Sequence, residues 1–185
     1  SGVPSADGVV VFKGIPYAAP PVGDLRWKAP EKPQPWDGVR VCDDFGNAAI
    51  QFPSEEGSFY WHEYYTEGHA PYSEDCLTLN IWAPSAKRPG KYPVAVFFHG
   101  GAFQSGWSFE KEFDGDEWAK RGVILVTVNY RLGPMGFFCC PELVAENPDG
   151  AGNYGLMDQI ASLEWVRDNI EAFGGDVHGV QSAET

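Results

Sequence analysis

The sequence predicts an α/β protein: a mixed, mostly parallel sheet with an antiparallel amino-terminal edge. Three observations lead there. Val94-Ala-Val-Phe-Phe98 and Val123-Ile-Leu-Val-Thr-Val128 are continuous apolar runs of strand length, as in strands covered on both faces. Helical stretches alternate with these runs, as crossovers between parallel strands require. Leu77, Leu79 and Ile81 alternate with Thr78 and Asn80, the period of a half-buried strand, which joins the earlier strands in the antiparallel edge.

In chain order, Val9-Val-Val-Phe12 reads as a short strand. Gly14 to Pro35 carries Pro16, Pro20, Pro21, Pro30, Pro33 and Pro35, which exclude a regular helix and favour extended, surface-wrapping chain. Phe52 to Ser73, with Trp61, Tyr64 and Tyr65, reads as a long loop of the kind that forms a functional rim or lid. A short helical stretch falls within Glu110 to Arg121. Gly155 to Phe173 is the best helix, with Leu156, Ile160, Leu163 and Ile170, flanked by Met157, Ala161 and Val166, as its expected apolar face. Gly174-Gly175 ends it, because glycine takes the left-handed turn without steric cost. There are no internal repeats, and one domain over residues 1–185 accounts for the pattern.

Composition narrows the function. With 26 acidic residues against 13 basic ones, the formal charge is −13. No Lys/Arg cluster is present to meet phosphates, so nucleic acid is excluded as a partner. Such a charge disfavours anionic substrates and is indifferent to neutral ones. No apolar run approaches the roughly 20 residues that span a bilayer. Aromatics make up 15%, which suits either a large-residue core or a cleft for apolar ligands. The cysteines are Cys42, Cys76, Cys139 and Cys140, with no CxxC and no zinc spacing. They lean towards a reducing, cytoplasmic compartment, although a Cys42–Cys76 bridge is open on spacing alone.

The chemistry concentrates at His99-Gly100-Gly101-Ala102-Phe103, directly after the Val94 strand. Paired glycines there let the backbone turn sharply and leave N–H groups pointing outward. Such donors can stabilise a developing oxyanion, at about 2.7–4 kcal/mol of barrier each. Gly-Gly alone reads equally as a tight turn; an HGG run after a strand is the more specific signal, being the oxyanion element of lipases and esterases.

Several further blocks carry a resemblance. Phe12-Lys-Gly-Ile-Pro-Tyr-Ala-Ala-Pro-Pro-Val-Gly23 with Arg26-Trp27 is similar to the opening of type B carboxylesterases and cholinesterases. Glu74-Asp-Cys-Leu-Thr-Leu-Asn-Ile81 resembles that family's second signature. Val128-Asn-Tyr-Arg-Leu-Gly-Pro-Met-Gly-Phe137, Gly152-Asn-Tyr-Gly-Leu-Met-Asp-Gln159 and Trp165-Val-Arg-Asp-Asn-Ile-Glu-Ala-Phe-Gly-Gly-Asp176 are similar to further family blocks, in order. The resemblance implies a partial α/β-hydrolase fold, the amino-terminal portion of one domain. It implies Gly100 and Gly101 as oxyanion donors, with a third N–H from the residue after the nucleophile. It also implies Arg26–Glu74 and Arg131–Asp158 as structural ion pairs, and Phe103 and Trp107 near the gorge wall.

Two departures from the family pattern stand out. The family's first disulfide joins the cysteine of the Glu-Asp-Cys-Leu block to one just before a Gln, and Ala49 occupies that place here, leaving Cys76 as an expected buried thiol. The family also continues from Gly-Gly-Asp into a G-x-S-x-G elbow, whereas this chain reads Val177-His-Gly-Val-Gln-Ser-Ala-Glu-Thr185. Ser182 is the nucleophile candidate and Ala183 would supply the third N–H. Val180 and Glu184 stand where the two glycines belong, and about four residues of the preceding strand read as missing. His62, His69, His99 and His178 precede Ser182, the reverse of the family order for the base.

The expected function is therefore that of a carboxylic ester hydrolase lineage acting on a small neutral ester through a serine nucleophile, with no metal or organic cofactor. The 185-residue chain by itself is expected to be an incomplete, inactive fragment. A cholinesterase-like, non-catalytic binding module is the alternative.

Overall fold

The computed structural model describes residues 1–6, 8–64, 70–86 and 88–184, with the side chains of 64, 183 and 184 left out of account. Tyr65 and His69, expected in the long loop, lie outside the described residues. Eight strands are described: Val3–Pro4 (β1), Val9–Pro16 (β2), Ala48–Ala49 (β3), Tyr72–Ser73 (β4), Thr78–Pro84 (β5), Tyr92–Phe98 (β6), Ile124–Val128 (β7) and Gly175–Glu184 (β8). The helices are Phe59–Tyr64 (α1), Asp116–Lys120 (α2), Gly133–Phe137 (α3), Pro141–Glu146 (α4) and Tyr154–Asn169 (α5).

The main sheet runs β1-β2-β5-β7-β6-β8. β1, β2, β5 and β7 pair antiparallel in that order, and β7, β6 and β8 are parallel. The expected antiparallel amino-terminal edge and the parallel remainder are both present. β3 and β4 form a separate two-stranded parallel pair.

The strands follow from their residues. β7 is buried at every position, as an apolar, β-branched-rich run between covering layers must be, whereas β6, also expected to be covered on both faces, is buried only at alternate positions, with Pro93 exposed. β2 breaks register between Phe12 and Ile15. There Gly14 takes φ +62, and a Cβ would meet the Asp44 carbonyl at 2.6 Å, so only glycine fits the bulge.

Three further stretches differ from the expectation, the first being Phe52 to Ser73, expected as one long loop, which carries α1 and β4. β5 is buried on both faces, not half-buried: Asn80 is 1% exposed. Its amide accepts from Gly14 N–H at 2.9 Å and donates to Ser108 Oγ at 3.0 Å and Thr127 Oγ1 at 3.1 Å, which offsets the cost of burying it. α5 turns in only part of its expected apolar face: Val166 and Ile170 are buried and Ala161 and Leu163 pack against the core, but polar residues share the inward side. Tyr154, Gly155, Asp158, Gln159, Ser162 and Val166 are buried, while Leu156 and Ile160 are 39% and 59% exposed. The buried stripe is set by an ion pair. Arg131 Nε and Nη2 donate to Asp158 Oδ2 and Oδ1 at 2.8 and 2.7 Å, with both side chains buried. A 3₁₀ turn over Ile170–Phe173 then closes on Gly174 at φ 88, the expected left-handed stop.

The remaining sequence expectations sort physically. Arg26–Glu74 is a bidentate pair at 2.6 Å but partly exposed, so losing it costs little, whereas losing one partner of the buried Arg131–Asp158 pair strands a buried charge. All four cysteines are free, with Cys42 and Cys76 buried, and burial raises the Cys76 thiol pKa far out of the reactive range. β8 spans ten residues but meets β6 in two pieces, Gly175 opposite Tyr92 and Val180–Glu184 opposite Val94–Phe98, with a register break between them.

Candidate functional site

β6, β7 and β8 are parallel, so their carboxyl ends open on one edge of the sheet, where α/β folds place their ligands. His99 to Gly106 leaves β6 at that edge. Gly101 takes φ 106, and Ala102 and Phe103 follow at φ 53 and 59. Consecutive left-handed non-glycine residues cost on the order of 1 kcal/mol or more each and persist only where their surroundings hold them.

What holds this loop is visible bond by bond. Gln104 N–H and Ser105 N–H both donate to the Gly101 carbonyl, at 2.9 and 3.2 Å. Gly133 N–H, at the start of α3, donates to the Phe103 carbonyl at 2.7 Å. Tyr130 Oη–H donates to the His99 carbonyl at 2.7 Å, and its ring stacks on the imidazole with centroids 4.6 Å apart. The Gln51 amide bonds both the N–H and the carbonyl of Gly106. A Cβ on Gly101 would lie 2.1 Å from the Ser105 carbonyl, so the fold of the loop requires glycine there.

The consequence is a set of unused donors. Among the described residues, none accepts from the N–H of Gly100, Gly101 or Ala102. Gly101 and Ala102 are exposed and Gly100 is half-buried. The N–H groups of Gly100, Gly101 and Ala102 thus have no acceptor among the described residues.

The electrostatics around the loop come mainly from burial. His99 is almost fully buried, which lowers its pKa to about 4, although its Nδ1 lies 2.9 Å from the Gly100 carbonyl. It is neutral at neutral pH and structural in its contacts. Glu110 accepts from Trp107 N–H at 3.1 Å, yet burial raises its pKa to about 7. Trp107 packs in a small core with Ala48, and Phe103 is 40% exposed beside Phe137 at 5.0 Å.

Ser182 and Ala183 lie inside β8, opposite Val96 and Phe97. Neither is on a strand-to-helix turn, and Ser182 lies four residues of register below Gly100, about 13 Å along a strand. A nucleophile must stand within about 3 Å of both the reacting atom and the reach of the oxyanion donors. In that register Glu184, opposite Phe98, is the described residue of β8 nearest the loop. Among the described residues, no histidine is brought to Ser182 either. His62 sits on α1, His99 is buried under the loop, and His178 is four residues back along the same strand, about 13 Å away. Among the described residues, no group of three or more His, Cys, Asp or Glu is arranged to hold a metal, and no helix is long and apolar enough to cross a membrane.

Several residues that build the site carry no role in the sequence reading. Gln51 and Tyr130 lie within family-like blocks without one. Asn129 Oδ1 accepts from Ser108 N–H at 2.7 Å, its Nδ2 donates to the Asn47 carbonyl at 3.0 Å, and Tyr17 Oη–H donates to its carbonyl at 2.7 Å. The available signal was an Asn in or just after a strand otherwise apolar, which is strongly unfavourable unless its amide is bonded.

Sheet order, parallel carboxyl edge and glycine loop together define the α/β-hydrolase fold. Residues 2–182 match the carboxylesterase family model, and the chain belongs to that family. It is 47% identical over 176 residues to the para-nitrobenzyl esterase of Bacillus subtilis, covering 94% of this chain and 34% of that protein. It is 44% identical over 178 residues to the fumonisin B1 esterase of Sphingopyxis macrogoltabida, covering 93% and 31% respectively. Among solved structures, a PNB esterase matches with a TM-score of 0.86 at 43% identity, over 99% of this chain and 36% of that one. A carboxylesterase of Geobacillus stearothermophilus matches with a TM-score of 0.83 at 42% identity, over 98% and 35%. The chain spans about a third of the length of these relatives.

Proposed function

We propose that this chain is the oxyanion-binding part of a serine carboxylic ester hydrolase, one portion of a single α/β-hydrolase domain, and that residues 1–185 alone do not turn over esters. The observation that carries the reading is the group of unused N–H donors at Gly100 and Gly101, on a strained loop braced from several sides at the carboxyl edge of the parallel strands. In the reaction, a serine oxygen attacks the ester carbonyl. The negative charge gathers on the former carbonyl oxygen, and Gly100 and Gly101 donate to it there. The substrate is a small neutral ester, consistent with a chain of charge −13 and with relatives named for ester hydrolysis.

Ser182 is not assigned the attack, nor Ala183 the third donor, because both lie in the β8 ladder below the level of the donors. No metal or organic cofactor enters this chemistry. A non-catalytic binding module of the same fold is favoured by one fact, that no serine among the described residues stands on a turn beside the loop with a base at hand. A fluorophosphonate probe separates the two. An ester hydrolase carrying this chain at its natural length is labelled on a serine other than Ser182, and a binding module is not labelled at all.

A further inference from the structure

We propose that Gln51 is a positioning residue for the oxyanion loop; this rests on reading Gly100 and Gly101 as oxyanion donors. Gln51 Oε1 accepts from Gly106 N–H at 2.8 Å, and Nε2 donates to the Gly106 carbonyl at 2.9 Å. One side-chain amide thereby pairs with both polar groups of one backbone residue, as a neighbouring strand would. The second Nε2 hydrogen goes to the Ala49 carbonyl at 3.1 Å. The orientation is unambiguous, because turning the amide over would set its NH₂ against an N–H and its oxygen against two carbonyls.

Gly106 is where a force on the loop is transmitted. At φ 105 it packs so closely that a Cβ would lie 2.6 Å from His99 Nδ1 and 2.9 Å from the Gly100 carbonyl. Whatever fixes Gly106 therefore fixes the peptide next to the first donor. Gln51 is itself fixed from behind: Ala48 and Ala49 are buried and pair with Tyr72 and Ser73. The route runs from the β3–β4 pair through the Gln51 amide to Gly106 and so to Gly100, across 55 residues of sequence.

Gln51→Glu tests this within one protein. Ionised, the introduced carboxylate still accepts from Gly106 N–H but sets a negative charge against two carbonyls. Protonated, it again offers an acceptor and a donor to Gly106. Amide hydrogen exchange is followed for Gln104, Ser105 and Gly106, with Val96 and Val126 as sheet references and wild type as control at each pH. The expected result is a loss of loop protection of about ten-fold near pH 8, with the sheet unchanged, and recovery as the introduced carboxyl group protonates. Gln51→Ala should lose the loop protection at every pH. Unchanged loop protection, or equal loss in loop and sheet, overturns the proposal and leaves the oxyanion reading intact.

In the protein carrying this chain at its natural length, Gln51→Glu should lower kcat on p-nitrophenyl acetate by about 10- to 100-fold, with KM nearly constant and the loss reversing towards low pH. Loop protection lost while kcat stays unchanged would overturn the oxyanion reading, and the functional half of the proposal with it.

Discussion

Tyr130 holds His99 twice, by a 2.7 Å hydrogen bond from its hydroxyl to the His99 carbonyl and by stacking on the imidazole. β6 ends one residue before His99, and Tyr130 follows β7 closely, so this contact ties the root of the glycine loop to the neighbouring parallel strand. Tyr130→Phe keeps the stack and deletes the bond. It should cost about 0.5–1.5 kcal/mol, or more if the buried carbonyl finds no other donor. Urea unfolding measures that cost, and exchange at residues 99–106 shows whether it falls on the loop.

The buried His99 and the half-buried Glu110 flank the loop and tilt stability in opposite directions with pH. His99 has its pKa lowered to about 4 by burial, so between about 4 and 6.5 the unfolded chain binds a proton that the folded chain refuses. Stability therefore falls as pH drops through that window, by up to about 3 kcal/mol from this group. Glu110, raised to about 7, keeps its proton in the folded state after the unfolded chain has released it. Its contribution is present below about pH 4.5 and is lost as pH rises to about 7, about 1–2 kcal/mol after allowing for solvent screening. Relative to wild type, Glu110→Gln should gain stability as pH rises from 5 to 7, and His99→Gln as pH falls from 6.5 to 5. Urea midpoints at successive pH values check both signs.

The Arg131–Asp158 pair sets the inward face of α5, and breaking it should be costly. Asp158→Asn leaves a buried guanidinium without its counter-charge, an effect of about 3–5 kcal/mol. Removing both charges, as Arg131→Met with Asp158→Asn, should recover part of that loss. A double-mutant cycle in urea checks the coupling.

Ala49 stands where the resemblance places a half-cystine, and Ala49 and Cys76 line the same small cavity. Ala49→Cys should therefore oxidise to a disulfide with Cys76. Closing a loop of that length stabilises by about 3–4 kcal/mol in the chain-entropy description. Non-reducing peptide mapping shows the bond, and Tm with and without reductant gives its effect.

Much of this architecture was legible in the sequence, for physical reasons that differ by element. β7 was plain because a strand covered on both faces must be apolar throughout, and β6 was found by the same apolar run although only alternate positions are buried. The loop after β6 was plain because its glycines follow such a strand, and Gly174 because a helix needs a left-handed stop. β5 was misjudged on its polar face: hydropathy cannot register that Asn80 finds three partners from three different segments. α5 was read correctly at Val166 and Ile170 and misread in its amino-terminal half, for a related reason. Its apolar residues Leu156 and Ile160 face outward on a chain that spans a third of its relatives' length, and the Arg131–Asp158 bond decides which face turns in. Gln51 carried no local signal, since its partner is 55 residues away. The strand before Ser182 was expected from the family resemblance alone, because Gly175-Asp-Val-His-Gly-Val-Gln-Ser-Ala-Glu184 has little apolar pattern, and its place beside β6 comes from pairing.

Hydrolysis of p-nitrophenyl acetate by the 185-residue chain, beside its Ser182→Ala variant, is the most direct test of how donors and serine are divided in this protein. Equal rates, no faster than the uncatalysed background, are predicted, since the chain supplies Gly100 and Gly101 and keeps Ser182 within β8. Turnover above background that disappears in Ser182→Ala would contradict it.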